Sequence, residues 1–115
     1  MSKKKVIYIA GAMTKEKEFN HPAFFAKAEE LERQGWVVLN PATLPLYLRQ
    51  EQYMDICCAM LRSATYVCML DGWEKSEGAT AEYALAKKLG HSIYNEQMKL
   101  ILPLEYQLVP VATYI

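Results

Sequence analysis

The chain has 115 residues, of which 52% are hydrophobic and 23% charged, so its length fits one domain with its own hydrophobic core. The 13 basic and 13 acidic side chains give no net charge, which argues against binding nucleic acid through an excess of positive charge. No apolar run approaches the roughly 20 residues that span a bilayer, so we expect a single cytoplasmic domain over residues 1–115 with no membrane or nucleic-acid partner.

The chain begins with a strand, a turn and a helix. The apolar run at residues 6–10 predicts a strand buried on both faces, and Gly11 then permits a sharp turn. Pro22 suits the first turn of the helix that follows, and Gly35 suits its end. The apolar side chains of this helix recur at helical spacing, at Phe24, Phe25, Ala28 and Leu31.

The middle of the chain repeats this order. Residues 36–39 predict the second strand, and residues 41–50 contain two prolines and predict a loop. Residues 51–64 predict a second helix, because their apolar side chains form one stripe at helical spacing. Residues 65–70 are almost wholly apolar and predict the third strand.

The last part of the pattern is a polar loop, a helix and one or two strands. The loop covers residues 71–78, and the helix that follows is rich in alanine, which favours close packing on a sheet. Gly90 ends this helix. Residues 91–94 predict a fourth strand, and residues 99–102 are a candidate for a fifth.

This alternation of strands and helices predicts an α/β fold. We expect a three-layer sandwich with a central, mainly parallel sheet of four to five strands and helices on both faces, as in flavodoxin-like and Rossmann-like folds. Ligands of such sheets bind outside the carboxyl ends of the strands. Three polar segments, residues 11–20, 40–50 and 71–78, arrive there, so we expect the ligand site among them.

The three cysteines are odd in number, and two of them are adjacent, at Cys57 and Cys58. Neither His21 nor His91 stands at a metal-ligand spacing from them or from Cys68, which argues against disulfides and against a metal site. We expect all three cysteines to be buried as small hydrophobic residues.

The most informative pattern lies at residues 71–82. Ser76 is a candidate helix cap, Gly78 lets a ligand approach the backbone, and the free amides there favour an anion such as phosphate. Glu82 follows in the first turn of the helix or just after it, where an ionised carboxylate can act as a covalent nucleophile toward a sugar carbon. A helical glutamate is most often exposed, whereas the alanines around Glu82 predict close packing.

Other residues have two interpretations each. Asp55 is either a solvated acid at a helix start or a carboxylate that holds a sugar hydroxyl while Glu82 attacks. Tyr8 is predicted to be a core residue whose hydroxyl needs a partner, and Trp36 and Trp73 are candidates for stacking on a base or for lid or dimer contacts. The chain has neither a dinucleotide fingerprint nor a Walker lysine motif, which argues against hydride transfer and triphosphate hydrolysis.

Several short motifs carry a resemblance. Residues 8–14 (Tyr-Ile-Ala-Gly-Ala-Met-Thr), Phe19-Asn20, residues 22–24 (Pro-Ala-Phe) and residues 40–42 (Asn-Pro-Ala) together resemble the DUF4406 family. That family looks like a branch of the nucleoside 2-deoxyribosyltransferase-like proteins, which include the deoxynucleoside 5'-monophosphate N-hydrolases. The resemblance extends from Val6 to about Tyr94.

The resemblance implies roles for individual residues. Glu82 matches the glutamate that attacks the anomeric carbon of a deoxyribose, Asp55 matches an aspartate that orients the sugar, and Tyr8 matches a tyrosine near the substrate. Ser76 matches a serine that binds the 5'-phosphate in the hydrolase branch, and Gly78 matches the glycine of the same loop. We expect that this protein needs no metal or organic cofactor. In this wider group, neighbouring subunits often complete the pocket.

The sequence therefore predicts an enzyme that cleaves or transfers the N-glycosidic bond of a (deoxy)nucleoside or its 5'-monophosphate. The predicted substrate-binding set is completed by residues of the polar segments, namely Gly11, Thr14, Asn20 and Asp71. Two alternatives remain open, a nucleotide-binding sensor without turnover and an interaction protein. A homodimer or larger homo-oligomer is expected because the apolar residues 100–104 and 108–115 are costly to expose.

Overall fold

The computed structural model describes residues 4–101. It contains four strands and three helices: β1 (Val6–Ala10), α1 (His21–Arg33), β2 (Val37–Leu39), α2 (Gln50–Ser63), β3 (Tyr66–Met69), α3 (Glu77–Leu89) and β4 (Ser92–Asn95). The strands and α2 begin and end within one residue of the predicted bounds. Leu102 and the rest of the apolar C-terminal residues, on which the dimer prediction rests, lie outside the described range. Within that range, no helix has the length and apolar character needed to cross a membrane.

The four strands form one parallel sheet in the order β2-β1-β3-β4, so the predicted three-layer α/β fold is confirmed. Tyr8 in the middle of β1 is paired with Leu39 of β2 on one side and with Val67 of β3 on the other. From β1 the chain first runs to β2 and then crosses over to β3, so the direction of winding reverses there. A crevice therefore forms at the carboxyl ends of β1 and β3.

The two faces of the sheet are covered by different helices. Successive side chains of a strand point to opposite faces, so Ile7 and Ile9 of β1 meet α1, whereas Tyr8 packs with residues of α2 and α3. Phe24 and Leu31 anchor α1, and both are completely buried. Burying side chains of this size contributes roughly 1.5–3 kcal/mol each, which fixes α1 on one face and α2 with α3 on the other.

No fifth strand forms within residues 4–101. After β4 the chain reverses in a tight turn, in which the Asn95 amide donates to the Lys99 carbonyl at 2.9 Å. Leu100 then makes only an isolated antiparallel bridge to Tyr94. The candidate strand at residues 99–102 is therefore, as far as it is described, the return arm of this turn.

The cysteines are free in the described structure, and Cys57 and Cys68 are buried as predicted. Cys58 departs from the prediction, because it is only half-buried. It follows Cys57 on α2, and neighbouring residues of a helix point in directions roughly 100° apart.

Gly11 is required for space rather than for a left-handed turn. Left-handed backbone occurs at Gly35, Gly72 and Gly90, whereas Gly11 adopts none. A Cβ atom at residue 11 would lie 3.0 Å from the Leu70 Cβ.

We expect Gly11→Ala to destabilise the protein by roughly 1–3 kcal/mol, because the added methyl group overpacks the contact with the buried Leu70 side chain. Urea unfolding measures this loss. Gly78→Ala is the matched control, since its Cβ would come no closer than 3.7 Å to a neighbouring atom, the Met54 sulfur. Equal losses of stability in both variants would contradict the explanation.

Candidate functional site

A cavity of about 330 Å³ opens at the carboxyl end of β1, among the segments that follow β1, β2 and β3. All three of the polar segments expected there contribute to its wall. The residues that line it are Tyr8, Gly11, Met13, Thr14, Phe19, His21, Phe24, Pro41, Leu44, Leu46, Tyr47, Leu48, Gln50, Tyr53, Met54, Cys57, Ser76, Gly78, Ala79 and Glu82. Most of these side chains are apolar and a few polar ones stand among them, which is typical of small-molecule sites.

Glu82 is the buried carboxyl group of this cavity. It lies in the second turn of α3, on the face that also buries Ala79 and Ala86, and only 6% of the residue is exposed. The close packing indicated by the surrounding alanines is therefore present. Burial raises the pKa of Glu82 to about 7, although its hydrogen bond with Tyr8 lowers the pKa in part. Near neutral pH, both the ionised and the protonated form are populated.

Tyr8, on strand β1, holds the Glu82 carboxyl group in place. Its side chain is buried at the centre of β1, and its hydroxyl donates a hydrogen bond to Oε2 of Glu82. Burial, followed by the nearby charge of Glu82, raises the pKa of Tyr8 well above its usual value, so the phenol stays neutral and acts as a donor. Because Oε2 is held by Tyr8, Oε1 is the oxygen left to meet a ligand.

Cys57 of α2 also lines the cavity and packs in the same buried cluster as Tyr8. Burial raises the pKa of its thiol to about 11. A thiol with such a pKa is protonated at neutral pH and is a poor nucleophile. Glu82 is thus the better candidate for covalent chemistry.

The N-terminus of α3 forms one wall. Ser76 caps the helix as predicted, since its Oγ accepts a hydrogen bond from the Ala79 amide at 3.1 Å. Its hydroxyl proton is still available to donate to a ligand. Gly78 has no side chain to fill the space beside it, so a ligand oxygen can approach the first amides of the helix.

Six of the predicted site residues line the cavity: Tyr8, Gly11, Thr14, Ser76, Gly78 and Glu82. Thr14 also connects two parts of the wall, because its hydroxyl accepts a hydrogen bond from the Gln50 side chain at 3.3 Å.

The other three, Asn20, Asp55 and Asp71, are not among the described residues of the cavity wall. The Asn20 side-chain amide donates to the Ala12 carbonyl at 3.0 Å and so braces the loop after β1. Asp71 holds the turn after β4, because its amide donates to the Glu96 carboxylate at 2.8 Å and its own carboxylate accepts from Gln97 at 3.3 Å.

Asp55 is exposed on α2. The residues of this helix that face the cavity include Met54 and Cys57. Residue 55 is turned by roughly 100° from residue 54, which directs its carboxylate away from the cavity. A contact between Asp55 and a sugar therefore stays a prediction.

The aromatic part of the cavity was not predicted from the sequence. Phe19 and His21 line the cavity. In the sequence, Phe19 was noted only as part of a family motif. Neither tryptophan is found in the described wall, because Trp36 packs against Tyr66 with ring centres 5.0 Å apart and Trp73 stacks on Tyr83 at 4.8 Å.

A family model described as a domain of unknown function, DUF4406, matches residues 5–95. The chain belongs to the DUF4406 family. The match includes every element that builds the cavity of this DUF4406 protein, from β1 to β4. No curated protein matches the chain significantly.

We expect Tyr8→Phe to raise the pKa of Glu82 further, because the variant loses the hydrogen bond that stabilises the ionised carboxylate. Carbon-13 NMR of the labelled glutamate carboxyl groups would follow this titration directly. Tyr66→Phe is a suitable control, since Tyr66 packs against Trp36 away from the cavity. An unchanged Glu82 titration in Tyr8→Phe would show that the hydrogen bond does not set the pKa.

Proposed function

We propose that this protein cleaves or transfers the N-glycosidic bond of a (deoxy)nucleoside or its 5'-monophosphate, with Glu82 as the nucleophile. The observation that carries the proposal is the buried Glu82 carboxyl group, which lines a ligand-sized cavity and is oriented by Tyr8. Burying a carboxyl group that is ionised at neutral pH is costly. Such a cost is typical of functional sites, where perturbed carboxyl groups cluster.

In the first step, Oε1 of ionised Glu82 attacks the anomeric carbon, and the bond from that carbon to the base nitrogen breaks. The base takes up a proton as it leaves, and the sugar remains as an ester of Glu82. In the second step, water or the nitrogen of another base attacks the same carbon. The ester bond then breaks, the carboxylate is regenerated, and the attacking group releases a proton.

The start of α3 suits the 5' end of such a substrate. The Ser76 hydroxyl and the amides around Gly78 can donate to a 5'-hydroxyl or a phosphate, and the helix dipole favours a negative charge there.

The test is to incubate the protein with each deoxynucleoside and each deoxynucleoside 5'-monophosphate, with and without a free acceptor base, and to separate the products by chromatography. Release of base without an acceptor indicates a hydrolase, and exchange of bases indicates a transferase. The absence of both reactions with every substrate would refute the proposed chemistry.

One observation favours a second candidate, a nucleotide-binding module without turnover. The second carboxylate expected at the site, that of Asp55, faces solvent. Such a module would be stabilised against heat by nucleosides or nucleotides and would release no base. An enzyme would both be stabilised by these ligands and release base.

A further inference from the structure

The cavity has two chemically different sides, because helices on opposite faces of the sheet supply them. The α3 side carries Ser76 and Glu82, and the α1 side carries Phe19, His21 and Phe24. The carboxyl ends of the strands lie between these two sides, since α1 and α3 pack on opposite faces of β1. Glu82 therefore lies on the opposite side of the cavity from the rings of Phe19, His21 and Phe24.

The backbone around Phe19 is strained. The residue is 47% exposed, and the backbone is left-handed at Glu18, Phe19 and Asn20, with φ angles of 54°, 54° and 58°. Side-chain-bearing residues rarely adopt this conformation in succession, and such backbone strain clusters at ligand-binding sites. The Asn20 hydrogen bond to the Ala12 carbonyl closes this turn. His21 backs Phe19, with ring centres 6.0 Å apart.

The geometry of the proposed substitution relates the α3 side of the cavity to the α1 side. A nucleophile and its leaving group occupy opposite faces of the carbon at which substitution takes place. With Glu82 on the α3 side of the anomeric carbon, the leaving base points toward the α1 side. Of the three ring-bearing residues on that side, Phe19 is the most exposed.

We propose that Phe19, backed by His21, forms the subsite on which the nucleobase stacks, and that it contributes to the selection of a planar aromatic leaving group. This inference rests on the proposed function, because it takes a nucleoside as the ligand. Stacking on an aromatic side chain tolerates all bases, since every base has a π-face. Discrimination between bases would then fall to polar groups beside the ring, among them the His21 imidazole.

The experiment measures binding without turnover. Glu82→Gln protein is titrated with 2-aminopurine 2'-deoxyriboside, a fluorescent nucleoside whose emission is quenched when the base stacks. Adding Phe19→Ala should weaken binding roughly 5- to 150-fold and remove the quenching. Phe19→Leu, which keeps the apolar bulk without a flat ring, should also lose the quenching. Phe19→Trp should retain it.

Phe25→Ala is the matched control. Phe25 is also 47% exposed and also packs against His21, with ring centres 6.1 Å apart, but it is not one of the described wall residues. We expect this change to alter binding by no more than about twofold. Equal effects of the Phe19 and Phe25 changes, or unweakened binding in Phe19→Ala, would overturn the subsite. So would a change of oligomeric state in Phe19→Ala, because the ring would then contact another copy of the chain.

The readout separates this inference from the proposed function. Base release by the native protein together with binding that ignores Phe19 would overturn the subsite alone. Phe19-dependent stacking without any base release would refute the chemistry and support the subsite. Absence of any binding of the probe would overturn the subsite, and base release would then be judged by chromatography.

Discussion

Glu82→Gln should lower the rate of base release by at least roughly 10³-fold, because an amide cannot form the glycosyl ester and no other group replaces a covalent nucleophile. The glutamine has the same shape, and its carbonyl oxygen can still accept the hydrogen bond from Tyr8. The fold should therefore persist. Chromatography of released base, with the best substrate of the native protein, measures the loss.

Glu77→Gln is the control for this experiment, since Glu77 lies in the first turn of the same helix and is exposed. Its rate should stay within about twofold of the native rate. If Glu82→Gln kept more than roughly a tenth of the native rate, Glu82 would not be the nucleophile.

The same substitution should also change how stability depends on pH. Folding raises the pKa of Glu82 from 4.5 to about 7, so between these two values the folded protein holds a proton that the unfolded chain has lost. The free energy of unfolding therefore falls as pH rises through this window, by roughly 3 kcal/mol from this group alone. Above the window both states are ionised, and the full destabilisation remains.

Glu82→Gln carries no such proton, so its stability relative to the native protein should increase as pH rises from about 4.5 to about 7. Urea unfolding at a series of pH values measures the difference, in which contributions from all other titrating groups cancel. Glu77→Gln should give a difference without this trend, because Glu77 is exposed. Parallel curves for Glu82→Gln and the native protein would contradict the raised pKa.

These two expectations describe one trade-off. Glu82 makes the folded protein less stable at neutral pH and, in the proposed reaction, makes it active. The buried site does not fully ionise the carboxyl group until the pH exceeds about 7. Base release that depends on ionised Glu82 should accordingly increase with pH across that value.

Local patterns in the sequence were sufficient for the elements and the fold. Apolar runs defined β1 and β3, and the glycines that follow the α1 and α3 patterns, Gly35 and Gly90, indicated where these helices stop. Alternation of strand and helix then left a parallel sheet as the natural architecture, and the carboxyl ends of the strands as the place for a ligand. The Ser76 cap was equally readable, because a cap depends on residues three positions apart.

The content of the site depended on tertiary structure. The sequence placed Asp55 and Glu82 on helices with the same two interpretations, but packing on the sheet buried Glu82 against Tyr8, 74 residues away, and left Asp55 in solvent. The left-handed backbone at residues 18–20, which includes Phe19, contains no glycine, so no residue type in this segment predicts it. Helices, strands and caps follow from neighbours along the chain, whereas burial, pKa and the wall of a cavity are set by residues that only folding brings together.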